Sequence, residues 1–66
     1  MRLTINGEVR EIPDGLSVPA LLEFLKLRAD RVAIERNLEV LPRKVWSGTM
    51  IAEGDRFEIV TLVGGG

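Results

Sequence analysis

The chain contains no cysteine, no histidine and no tyrosine. Without thiols, disulfides and thiolate nucleophiles are excluded, and with histidine also missing, so are the usual zinc ligand sets. The hydroxyls of Thr4, Ser17, Ser47, Thr49 and Thr61 have no imidazole to activate them. General acid–base work would fall to carboxylates or lysines alone. These gaps point to a substrate or partner of enzymes rather than to an enzyme, with no cofactor or metal held by the chain itself. No apolar run approaches the roughly 20 residues that span a bilayer, and the N-terminus lacks the pattern of a signal peptide. The expectation is a cytoplasmic protein that engages no membrane. Charge of one sign is missing too: nine basic and ten acidic residues give a net charge of −1. No basic stripe of the kind that binds nucleic acid is visible. The pairs Arg28 with Arg31 and Arg43 with Lys44 read as solvated surface.

What is present fits one small domain, residues 1–66, expected to be a monomer when free. A chain of this size buries only about 60% of the surface its unfolded form exposes, which leaves no room for a deep internal active site. The hydrophobic fraction of 45% with 29% charged residues is ordinary for a globular chain.

The periodicity gives the elements. Arg2-Leu3-Thr4-Ile5 alternates, meets Asn6-Gly7, then continues as Glu8 to Ile12. Asn-Gly between alternating segments signals a two-residue hairpin, because a type I′ turn needs φ > 0 at both central positions. Val9 and Ile12 break strict alternation, which suggests a twist or bulge before the Pro13-Asp14-Gly15 turn. Ser17 reads as a helix N-cap, with Pro19 in the first turn. Val18, Leu21, Leu22 and Leu25 follow at helical spacing, with Phe24 widening the stripe or covering its edge. The helix is expected to fade near Arg28, with Lys26 and Arg28 placed favourably at its negative end.

Val32 to Arg36 reads as a third strand broken at Asn37, and Glu39 to Leu41 as a short fourth. Pro42 to Trp46 reads as a helical turn, with Val45 and Trp46 capping one end of the core, and Met50 and Ile51 add two further apolar contacts. Trp46 is open to two readings, core packing or ligand stacking, of which packing is favoured. On the last strand, Arg56 to Val63, Phe57, Ile59 and Thr61 lie on one side and Glu58, Val60 and Leu62 on the other. If the first set packs on the helix, Val60 and Leu62 point away from the core. They form either a docking patch or scattered surface hydrophobes. The sum is an α+β roll: a small mixed sheet of four to five strands covered on one face by one main helix, with first and last strands parallel at its centre.

The last residues are Gly64, Gly65 and Gly66. Such an arm carries no side chains and bends freely, so it can thread a narrow channel in a partner and expose its terminal carbonyl carbon. A frayed end is the alternative reading. The flexible tail is expected over residues 63–66.

Four segments together resemble the ThiS sulfur carriers of thiamin biosynthesis, which share the β-grasp fold of ubiquitin. They are Val32-Ala33-Ile34-Glu35-Arg36-Asn37, Pro42-Arg43 before Trp46, Gly54-Asp55-Arg56-Phe57-Glu58-Ile59-Val60, and Gly65-Gly66. The resemblance covers the whole chain. It implies that the carboxylate of Gly66 is adenylated by a ThiF-like partner using MgATP. Sulfur delivered through a cysteine desulfurase then displaces AMP, and a ThiG-like thiazole synthase uses the resulting thiocarboxylate. Gly64 and Gly65 would give the partner access, and Val60 and Leu62 would belong to the docking surface. Gly64 departs mildly from the family pattern, in which Ala or Gln often precedes the diglycine.

Three alternatives remain at this level: a MoaD-like carrier for molybdopterin synthesis, a protein-conjugating modifier, and a non-catalytic ubiquitin-like interaction module. MoaD-like chains tend to be longer. The conjugating modifier would spend the same activated glycine on an isopeptide bond. The interaction module would tolerate loss of the glycines.

Overall fold

A computed structural model of the protein describes residues 1–63. Its first hairpin joins β1 (Arg2–Ile5) to β2 (Glu8–Glu11), and both turn residues take positive φ, Asn6 at 51° and Gly7 at 83°. This is the type I′ geometry that Asn-Gly accommodates. The register runs unbroken from Arg2 opposite Glu11 to Ile5 opposite Glu8, and the Ile12 amide donates to the Met1 carbonyl in the same sequence. Of the expected twist or bulge, the bulge is therefore absent. Val9 and Ile12 simply lie on opposite faces: Val9 is exposed and Ile12 buried.

The helix α1 (Val18–Phe24) starts where its cap predicts, with Ser17 Oγ accepting from the Ala20 amide at 3.3 Å. It ends earlier than the periodicity suggests. Lys26 turns left-handed at φ 62°; its amide donates to Glu23 O and that of Leu27 to Leu22 O. These two bonds are the Schellman closure, with lysine in the place glycine usually occupies. Lys26 and Arg28 thus lie beyond the helix rather than in its last turn. Val18, Leu21 and Leu22 are buried, Leu25 is half-buried, and Phe24 is exposed. A helix of seven residues is too short to persist alone, so packing against the sheet holds it.

After a short 3₁₀ turn at Ala29–Arg31, β3 (Val32–Arg36) pairs antiparallel with both β4 (Glu39–Val40) and β5 (Arg56–Thr61). Between β3 and β4, Asn37 and Leu38 both take positive φ, 51° and 73°. β1 pairs parallel with β5, Thr4 opposite Arg56 and Ile5 opposite Phe57. Among the described residues the sheet has five strands in the order β2-β1-β5-β3-β4, with first and last strands parallel at its centre as expected.

The core lies between this sheet and α1. Leu3, Ile5, Ile12, Val18, Leu21, Leu22, Val32, Ile34, Trp46, Ile51, Phe57 and Ile59 form one buried cluster. Each fully buried aliphatic or phenyl side chain stabilises the fold by about 1.5–3 kcal/mol. A second 3₁₀ segment (Arg43–Gly48) closes one end by burying Trp46, whose indole N–H donates to Leu41 O at 2.9 Å. The packing reading of Trp46 holds. Its neighbour Val45 is exposed rather than capping the core, and Met50 is exposed while Ile51 packs inside.

Candidate functional site

The two faces of β5 decide what the molecule presents. Phe57 and Ile59 are buried under α1, whereas Val60 and Leu62 are half exposed at 56% and 50%. Alternation places Glu58 and Val60 on the outer face. Beyond β5 the Leu62 amide donates to Arg31 O, so Leu62 continues the same alternation. Val63 is 90% exposed. Val60 and Leu62 therefore stand where the alternation puts them, on the side that the helix leaves uncovered. Gly64, Gly65 and Gly66 follow directly in sequence and lie outside the described residues.

The sheet register adds neighbours that strand alternation alone does not reveal. Ala33 lies opposite Val60, Glu35 opposite Glu58, and Glu35 also opposite Val40. Ala33, Ile34, Glu35, Val40, Glu58 and Val60 line a shallow depression of about 270 Å³ on this face. Val40 is 74% exposed. The missing signal is long-range: nothing local says which residue of β3 faces Glu58.

Behind this face, two segments that read as separate motifs form one polar cluster. Asp55 is 7% exposed. Its Oδ2 accepts from Arg36 Nε at 3.0 Å, Arg36 Nη2 at 2.7 Å and the Ala52 amide at 2.9 Å. Its Oδ1 accepts from Asn37 Nδ2 at 3.3 Å. Burial pushes the Asp55 carboxyl up, but the bonds from Ala52, Arg36 and Asn37 together outweigh it and hold the group below its ordinary value. Asn37 also accepts from the Arg56 amide at 2.9 Å. Asn6 does the same on the other side of β5, donating to Ile59 O at 3.1 Å and accepting from the Ile59 amide at 2.8 Å. The two asparagines clamp β5 where its own ladder partners turn away.

Arg43 is likewise occupied by structure. Its guanidinium lies 4.4 Å from the Trp46 ring centroid, donates to Val32 O at 2.9 Å and donates to Ala29 O. Among the described residues, no group of three or more carboxylates or other metal-binding side chains is placed to hold an ion. None of their helices is long and apolar enough to cross a membrane.

A mixed sheet wrapped around one helix, with the last strand central and Val60 and Leu62 exposed on its uncovered side, defines a ubiquitin-like β-grasp domain. The sequence model of the ThiS family matches residues 3–66, and the chain belongs to that family. The crystal structure of the thiamine biosynthesis protein ThiS from Geobacter metallireducens superposes with a TM-score of 0.85, is 38% identical and is covered in full, as is this chain. The sulfur carrier protein ThiS of Escherichia coli is 27% identical over the whole of both chains. A thiazole synthase of Paramagnetospirillum magneticum is 42% identical over 66 residues. This chain spans 20% of that relative's length, so the likeness is to one part of a larger protein.

Proposed function

We propose that this protein is the sulfur carrier of thiazole formation, with the carboxyl group of Gly66 as its reacting group. The observation that carries the reading is the apolar outer strip of β5, Val60 and Leu62, leading straight into the glycines in a chain of the ThiS family. An α-carboxyl has a reference pKa of about 3.3–3.7 and is a poor electrophile as the anion it forms at neutral pH. An adenylating partner of the ThiF type, using MgATP, converts it to an acyl-adenylate with release of pyrophosphate. A persulfide sulfur, supplied through a cysteine desulfurase, attacks the carbonyl carbon and AMP leaves. Reductive cleavage of the acyl disulfide by a thiol then leaves the thiocarboxylate.

The carrier supplies the docking strip and an arm without side chains. The partner supplies the charge stabilisation for the acyl transfer. The chain's match to one part of a thiazole synthase supports a synthase of the ThiG type as the enzyme that consumes the thiocarboxylate. In this reading the chain is a cosubstrate and not a catalyst.

The test is an intact mass. Incubation with the adenylating enzyme, MgATP, cysteine and a desulfurase should raise the mass by the difference between sulfur and oxygen, located by fragmentation at Gly66. An unchanged mass with a competent enzyme sinks the reading.

A further inference from the structure

The outer face of the sheet contains a feature that sheet stability alone disfavours. Glu35 and Glu58 stand directly opposite each other on β3 and β5. Like charges in that relation destabilise a sheet. Among the described residues neither carboxylate has a cation within ion-pair distance; the four pairs found are Met1 with Asp14, Arg2 with Glu11, Arg28 with Asp30, and Arg36 with Asp55. Arg56, two residues before Glu58 on the same face, pairs with neither. Beside the two carboxylates lies the depression whose walls include Val40 and Val60. Ala33, opposite Val60, puts only a methyl group where a larger residue would fill it.

We infer that this depression and the Glu35–Glu58 pair together select the adenylating partner, by receiving one apolar side chain with an arginine or lysine beside it. The inference rests on the carrier reading and deepens it. An apolar hollow alone accepts any apolar knob. Two unpartnered carboxylates at its rim reject an acidic or neutral surface and favour a basic one, because specificity comes from penalising the wrong partner as well as from attracting the right one. The occupant is a protein surface of that chemistry on the adenylating enzyme. The same face is continuous with Val60 and Leu62, so docking here positions the start of the glycine arm.

The experiment uses the full chain and the purified adenylating enzyme. Calorimetric affinity is measured at low and moderate salt for the natural protein, the double variant Glu35→Gln/Glu58→Gln, and Ala33→Leu. ATP–pyrophosphate exchange and the thermal midpoint are recorded alongside. The expected results are a loss of at least tenfold in affinity for both variants and a flatter salt dependence for the double Gln variant. The midpoint of the double Gln variant should be equal to or above that of the natural protein, since a repulsion has been removed. A variant that melts no lower yet binds worse separates docking from folding. Unchanged affinity and salt dependence in the double Gln variant overturn the charge selection, and unchanged affinity in Ala33→Leu overturns the hollow. If the natural protein itself supports no exchange, the carrier reading fails, and this inference with it.

Discussion

Left-handed backbone at residues with side chains is where single positions of this chain store strain. Lys26 holds φ 62° at the end of α1, and Leu38 holds φ 73° at the tip of the β3–β4 hairpin with 78% of its surface exposed. An L-residue in this region costs about 1–2 kcal/mol that glycine avoids, against about 0.5–1 kcal/mol of extra unfolded-state freedom for glycine. Lys26→Gly should therefore raise unfolding stability by about 0.5 kcal/mol in urea titration, since no bond of its side chain is lost. A loss of stability would contradict the geometry. Asp55 gives a pH dependence. Its folded-state value lies below the ordinary 3.8, so its contribution is present in full above the ordinary carboxylate range. It is lost as pH falls through the lowered native value. Asp55→Asn should lower stability at neutral pH and flatten the acid limb below about pH 4. Parallel acid limbs for the two proteins would show that another group controls acid unfolding.

At the scale of elements, β5 is held by more than its ladders. Its parallel pairing with β1 is two residues long because the chain turns at Asn6. The Asn6 amide then takes the place of a third rung by bonding both backbone groups of Ile59. Asn6→Gly keeps the turn geometry and removes those bonds. The expected cost is about 2 kcal/mol by denaturant unfolding, at roughly 1 kcal/mol per hydrogen bond. A cost below about 0.5 kcal/mol would mean that water replaces the amide without loss. The hairpin and the Ser17 cap were legible in the sequence because turn chemistry and local period fix them, and the parallel pairing of first and last strands followed from a hairpin feeding a helix. The end of α1 was not, because the stripe continues through Leu25 while a left-handed lysine stops the helix. Nor was the β2 bulge rightly expected, since one exposed valine imitates a break in alternation. Val60 and Leu62 could be placed by alternation alone. Their neighbours on β3 and β4 required the register, which no local pattern contains.

Taken whole, the molecule separates what holds it together from what it offers to others. The core and the Asp55 cluster lie behind β5, and the apolar outer strip lies in front. Removing Gly66, a residue with no side chain to bury, should leave stability within about 0.5 kcal/mol of the full chain, while abolishing ATP–pyrophosphate exchange. Undiminished exchange would remove the arm from the chemistry. Val60→Asp should weaken association with the adenylating enzyme by more than about 1 kcal/mol, the effect of a side chain at an interface centre; equal affinity in calorimetry would return Val60 to ordinary surface. The indole on the opposite side makes these measurements separable. Trp46 is the only tryptophan, there is no tyrosine, and the ring is sealed at 4% exposure beneath Arg43. Its emission is thus a built-in optical gauge of the interior, shifting to longer wavelength when the core opens and staying silent when the far face is engaged.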